Sequence, residues 1–158
     1  MDDGRRLRRN VGQNMEVRLL RRSDQQVVSE LMRQLGYDIP SAELARRLDR
    51  ILALETHYAA VAEEGGRILG FVHAYERHTL ERPRSVIVQS IAVDSNARKT
   101  GAGKLLMIDA ESWARKKGIK HVVLYTRTDR DDAHAFYEHI GYRKVATSHL
   151  MTKLLDAT

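Results

Sequence analysis

The fold is decided by residues 86–104: Val86-Ile87-Val88-Gln89-Ser90-Ile91-Ala92-Val93, then Asp94-Ser95-Asn96-Ala97, then Arg98-Lys99-Thr100-Gly101-Ala102-Gly103-Lys104. A run rich in Val and Ile reads as a long strand, Ser85–Val93. It leads through a short polar turn into a basic, glycine-bearing turn. The segment from Gly101 to Lys117 then places Ala102, Leu106, Ala110 and Trp113 on one helical face, and Gly118 stops it. The first N–H groups of such a helix have no intrahelical partner and sit at the positive end of its dipole. Glycines at 101 and 103 let an anion approach the backbone, and Arg98, Lys99 and Lys104 add charge. The strand, turn and helix together predict a pyrophosphate cradle.

Two common phosphate motifs do not fit. A P-loop needs its first glycine at position 98, where Arg98 stands, and a hydroxyl after the lysine, where Leu105 stands. The dinucleotide fingerprint needs a third glycine at Leu106.

On the N-terminal side, Met15–Leu20 is strand-like. A helix capped by Ser23 or Asp24 carries Val27, Val28, Leu31, Met32 and Leu35 on one face and ends at Gly36. A second helix, capped by Ser41, carries Leu44, Leu48, Ile51 and Leu52. Strands His57–Ala62 and Arg67–Tyr75 flank the turn Glu63-Glu64-Gly65-Gly66, and a polar loop, Glu76–Arg84, precedes the deciding strand. On the C-terminal side come a buried-type strand, His121–Thr126, and a helix capped by Asp131 or Asp132 with the stripe Ala133, Phe136, Tyr137, Ile140. Gly141 ends that helix, and strands Tyr142–Ala146 and His149–Lys153 follow. The order β-α-α-β-β-β-α-β-α-β-β predicts an α/β (α+β) domain whose mixed sheet carries helices on both faces.

The 158 residues suit one domain, expected over 15–158 behind a flexible arm, 1–14, in which Arg5, Arg6, Arg8 and Arg9 cluster. Hydrophobic residues make up 42% and charged residues 30%, ordinary values for a soluble globular chain. No apolar run approaches the ~20 residues that span a bilayer, so no membrane partner is expected. With no cysteine there is no disulfide, thiolate metal site or cysteine nucleophile, which is compatible with the cytoplasm. The seven histidines show no metal-binding spacing, and no metal is expected. The formal charge of +6 calls for an anionic partner. Outside the arm the basic residues are dispersed, so a phosphorylated cofactor is expected ahead of nucleic acid.

The run Arg98-x-x-Gly101-x-Gly103 after Ile91-Ala92-Val93-Asp94 resembles the Arg/Gln-x-x-Gly-x-Gly/Ala signature of the GNAT acetyltransferase superfamily. A second match lies in Ala133-His134-Ala135-Phe136-Tyr137-Glu138-His139-Ile140-Gly141-Tyr142. Order and spacing agree from Met15 to the C-terminus. The resemblance implies the GNAT fold, a mostly antiparallel sheet of about six to seven strands that splays at its central parallel pair, Ser85–Val93 and His121–Thr126. It implies acetyl-CoA (coenzyme A) as co-substrate and a small-molecule or peptide primary amine as acceptor. The backbone of Ile91, Ala92 and Val93 would hold pantetheine and the acyl carbonyl. Arg98, Lys99, Thr100, Gly101, Ala102, Gly103 and Lys104 would hold the pyrophosphate. Tyr137 would serve the departing thiolate as catalytic acid. Many members carry an Asn seven residues before that tyrosine; Arg130 stands here. Homodimers are common among similar proteins, and the sequence names no interface.

Many such enzymes use a Glu on the strand before the cradle as general base, and residues 86–93 contain no acid. The candidates are His73, Tyr75, Glu76, His78, Glu81, His134 or a water relay. Two other readings stand beside the enzyme: a CoA-binding sensor or interaction module without turnover, and nucleic-acid binding through the basic arm.

Overall fold

A computed structural model describes residues 14–156. Apart from Asn14, the expected N-terminal arm and its arginine cluster lie outside the described residues. The described residues form two compact units that divide between Tyr125 and Thr126.

The first unit holds a five-stranded sheet in the order β1 (Met15–Leu19), β2 (His57–Glu64), β3 (Arg67–Arg77), β4 (Ser85–Val93), β5 (His121–Leu124). β1 to β4 pair antiparallel in succession; β4 and β5 pair parallel. β2 and β3 are joined by Gly65-Gly66 with φ of 56° and 79°. Positive φ at both central residues is the hairpin turn whose twist matches the strands, and glycine adopts it freely.

Helices α1 (Gln25–Gln34) and α2 (Ser41–Leu52) cover one sheet face, and α3 (Ala102–Lys116) covers the other. Strand alternation sorts the side chains. Ala59, Val61, Phe71 and Ala92 join Val28, Leu31, Leu44 and Leu48 in one buried cluster. On the other face Tyr58 stacks on Trp113 of α3 and its hydroxyl donates to the buried Asp109 carboxylate. Gly70 lies where β3, β4 and α3 crowd together. A Cβ there would sit 2.5 Å from the Ala92 carbonyl oxygen and 3.3 Å from Leu106 Cδ1.

Of the predicted caps, Asp24 takes the N-cap position of α1, without a side-chain cap bond, and Ser41 does not take that of α2. Ser41 is the first residue of α2 and Pro40 takes the cap position, because proline's fixed φ suits the entry to a helix. Asp24 precedes α1, but its carboxylate accepts from Arg18 and from the Arg21 backbone rather than from the helix. β5 is shorter than expected and only half-buried at Val122, Val123 and Leu124.

The second unit holds α4 (Asp131–His139), with Arg130 at the cap position rather than an aspartate; Asp131 and Asp132 occupy its first turn, where acids favour the dipole. Ala133, Phe136, Tyr137 and Ile140 form the half-buried stripe the spacing predicts. Tyr142–Ala146 and His149–Lys153 are not strands, so the described residues form a sheet of five strands rather than six to seven. These residues make no ladder with any described strand, and strand propensity counts only where side chains pack against cross-strand neighbours. Val145, Leu150 and Met151 are accordingly exposed.

Candidate active site

β4 has two halves. Its first four residues pair with both neighbours: the parallel ladder runs from Ser85 opposite His121 to Val88 opposite Leu124 and stops. A β-bulge then interrupts the β3–β4 register between His73 and Ala74, leaving Gln89 on β4 without an opposite residue. Beyond it, residues 90–93 pair with β3 alone, as Ser90 with His73, Ile91 with Val72, Ala92 with Phe71 and Val93 with Gly70. Bulges bend the strand that carries them. Among the described residues one edge of residues 89–93 is therefore free of strand partners, which is the splay that the resemblance implied.

The free edge runs directly into the glycine turn. The Asp94 carboxylate accepts from the Asn96 N–H at 3.0 Å and pairs with Arg67 at 3.2 Å, so Asp94 closes a 3-10 turn at residues 95–97. The Gln34 side chain of α1 accepts from the Ser95 N–H at 2.9 Å, tying the turn to the helical layer. Ala97 is buried, and Thr100 Oγ1 donates to its carbonyl at 2.6 Å. The chain then reverses through Lys99 at φ 62° and Gly101 at φ 89°. No described side chain caps α3, so among the described residues the N–H groups of its first turn remain open to an anion. Arg98, Lys99 and Lys104 are exposed and form no ion pair with another described residue. Ile91 and Val93 are half-buried, Ala92 and Ala102 buried, and Gly103 half-buried.

A small pocket of about 80 Å³ opens between α1, α2 and the sheet. Leu20, Val28, Met32, Leu44, Leu48, Ile51, Ala59 and Phe71 line it, with Arg47 as its single charged residue. Its floor is His73 and Ser90, the pair immediately beyond the bulge. His73 Nε2 lies 2.9 Å from His57 Nδ1, with the two rings within 15° of parallel. Tyr75 packs against His57 with ring centroids 5.4 Å apart. Burial, and then the neighbouring His57, lower the His73 imidazole to about 4; burial also lowers His57. Both rings are neutral at pH 7.

Among the other acid–base candidates, Glu76 shows a different role. It points to the opposite sheet face from His73 and is surrounded by Lys117 (3.2 Å), Arg84 (3.1 Å) and His78 (3.4 Å). Burial would raise its carboxyl, but Lys117 and Arg84 hold it below the usual range. His78 and Glu81 are exposed. In the second unit His134 Nε2 lies 2.7 Å from the Arg127 carbonyl. A carbonyl only accepts, so that nitrogen carries the proton. Tyr137 is half-buried between Phe136 and Tyr142, and burial raises its hydroxyl above the ordinary value.

The sequence singled out His73 but not its partner. His57 and His73 meet only because the hairpin register sets β2 against β3 two places apart from direct opposition, a relationship with no local signature. The pocket has no local signature for the same reason: its lining comes from five elements, α1, α2, β2, β3 and β4, together with Leu20 just beyond β1.

Comparison with known proteins agrees with this architecture. The family model described as "Acetyltransferase (GNAT) family" matches residues 25–142. The chain is 26% identical to the uncharacterized N-acetyltransferase YhdJ of Bacillus subtilis over 107 residues, 68% of this chain and 75% of YhdJ. It is 34% identical over 71 residues to mouse N-alpha-acetyltransferase 80, covering 45% of this chain but 21% of that protein. It is 28% identical over 105 residues to mycothiol acetyltransferase of Pseudarthrobacter chlorophenolicus, 65% of this chain and 32% of that one. Among solved structures, aminoglycoside N-acetyltransferase AAC(6')-Iy in complex with CoA superposes with a TM-score of 0.82 at 19% identity, over 92% of this chain and 99% of that one. At that identity the likeness is one of fold. The opened parallel pair, the glycine turn after it and a family model matched over well over half of the chain lead to one conclusion: the chain belongs to the acetyltransferase (GNAT) family.

Proposed function

We propose that the protein is an acetyl-CoA-dependent N-acetyltransferase that transfers the acetyl group to a primary amine by direct attack. The observation that carries this reading is the free edge of residues 89–93 leading into the uncapped N-terminus of α3. An amide-bearing pantetheine arm pairs with an open strand edge as an added strand does. The pyrophosphate is held at the first turn of α3 by backbone N–H groups of residues 101–104, with Arg98, Lys99 and Lys104 supplying charge.

In the reaction the amine nitrogen attacks the thioester carbonyl carbon. The C–N bond forms, the carbonyl oxygen takes up negative charge, and backbone N–H groups of residues 91–93 stabilise it. The C–S bond then breaks, and the thiolate takes a proton from the Tyr137 hydroxyl, which is restored from solvent. The raised pKa of Tyr137 keeps that hydroxyl protonated at neutral pH. The amine gives up one proton on entering and another on leaving the tetrahedral intermediate. No covalent enzyme intermediate is involved.

Release of free thiol from acetyl-CoA in the presence of an amine panel tests this reading. Amine-dependent release supports it. Coenzyme binding without release from any amine would make the protein a CoA-binding module instead.

A further inference from the structure

The pocket beneath α1 and α2 has a chemistry of its own. Its floor residue Ser90 belongs to the free half of β4, so anything seated there lies beside the backbone proposed to hold the acyl group. Its walls are apolar, including Val28, Met32, Leu44 and Phe71. Among the described residues no carboxylate lines it, and its only charge is the cationic Arg47, already paired with Glu43 at 3.0 Å. A polycation would lose hydration there and meet a like charge. Its volume of about 80 Å³ is well below the roughly 150 Å³ cavity that accepts benzene, so it suits a branched alkyl group.

Resting on the acetyltransferase reading above, we infer that this pocket binds the acceptor as a primary amine on a small apolar group, and that the His57–His73 pair carries its proton to solvent. His73 Nε2 is committed to His57, and no described residue bonds its Nδ1. The substrate ammonium gives its proton to His73 Nδ1, leaving a neutral nucleophilic amine. His73 passes its Nε2 proton to His57 Nδ1, and His57 loses the proton on its own Nε2 to solvent. Exchange with solvent then resets both tautomers. The groups facing His73 are His57 on β2, Tyr75 on β3, Ser90 on β4 and Arg47 at the α2 wall; α1 presents only apolar side chains. None is an anion that would hold the imidazolium, so the proton moves on rather than staying.

The test compares isobutylamine and valinamide with kanamycin as acceptors, measures CoA binding by calorimetry, and repeats both on Ile51→Trp, His73→Gln and His57→Gln. Ile51 is half-buried at the pocket wall, so tryptophan fills the pocket from its edge. The expected result is kcat/KM for the apolar amines at least tenfold above kanamycin, falling at least tenfold in Ile51→Trp while CoA binding is unchanged. His73→Gln should lower kcat by about 10²-fold at pH 7, with the deficit shrinking as pH rises toward the amine's own pKa. His57→Gln should show a smaller deficit with the same pH trend, which a purely structural role would not produce. CoA binding with equal or better use of kanamycin, or a deficit independent of pH, overturns this inference and leaves the acetyltransferase reading intact. CoA binding without thiol release from any amine overturns both, and loss of CoA binding in the unaltered protein overturns the coenzyme site itself.

Discussion

Val88 and Leu124 form the last rung of the parallel ladder, and β4 runs on for five more residues with β3 as its only strand neighbour among the described residues. The gap begins where Gln89 bulges out. That single relationship turns an ordinary crossover unit into one with an open strand edge leading to a helix N-terminus.

The turn at the end of that edge depends on backbone shape as well as charge. Gly101 holds φ 89°, a conformation that costs a β-branched residue heavily. Gly101→Val is expected to weaken CoA binding at least tenfold by moving the N–H groups at the start of α3. Lys104→Ala is expected to weaken it only a few-fold and to flatten its salt dependence. Calorimetric titration at two salt concentrations reads both. Equal affinity in Gly101→Val and the unaltered protein would remove the turn from the coenzyme site.

Tyr137 is assigned to leaving-group protonation. Tyr137→Phe keeps the ring that packs against Phe136 and Tyr142 and removes the hydroxyl. Steady-state kinetics should show kcat reduced by about 10²-fold with KM for acetyl-CoA little changed. An unaltered kcat would exclude Tyr137 from the chemistry.

Gly70 sets the close approach of β3, β4 and α3. Alanine there would meet the Ala92 carbonyl at 2.5 Å, and backbone cannot step aside as a flexible side chain does. Gly70→Ala should destabilise the protein by about 1–3 kcal/mol in urea unfolding. A variant of unchanged stability would show that β4 relaxes at Ala92.

Much of this was legible in the residues themselves. Gly65-Gly66 announced a hairpin, and Gly36, Gly118 and Gly141 each end a helix at positive φ. Arg98-x-x-Gly101-x-Gly103 located the turn. What stayed hidden depends on partners distant in sequence. The bulge at Gln89 exists only relative to β3, so a single strand's residues do not specify it. Glu76 has the residue type of a base, but its ion pairs with Lys117 and Arg84 come from elements distant in sequence. The segments 142–146 and 149–153 have the residues of strands, yet no described strand pairs with them.

The half-buried His73 has a consequence for acid stability. His73 binds a proton near pH 4 when folded and near 6.5 when unfolded. Between those values the unfolded chain holds more protons, so stability is full above pH 6.5 and falls as the pH drops toward 4. The upper bound of the loss is about 3 kcal/mol. His73→Gln should flatten the slope of stability against pH in that window. An identical slope in the variant would mean that another group governs the acid limb.

Amide hydrogen exchange with and without saturating CoA tests the central claim most directly. Slowed exchange confined largely to residues 89–104, with residues 121–124 little affected, is the expected result. Protection elsewhere with residues 89–104 unchanged would contradict a coenzyme site on the free edge of β4.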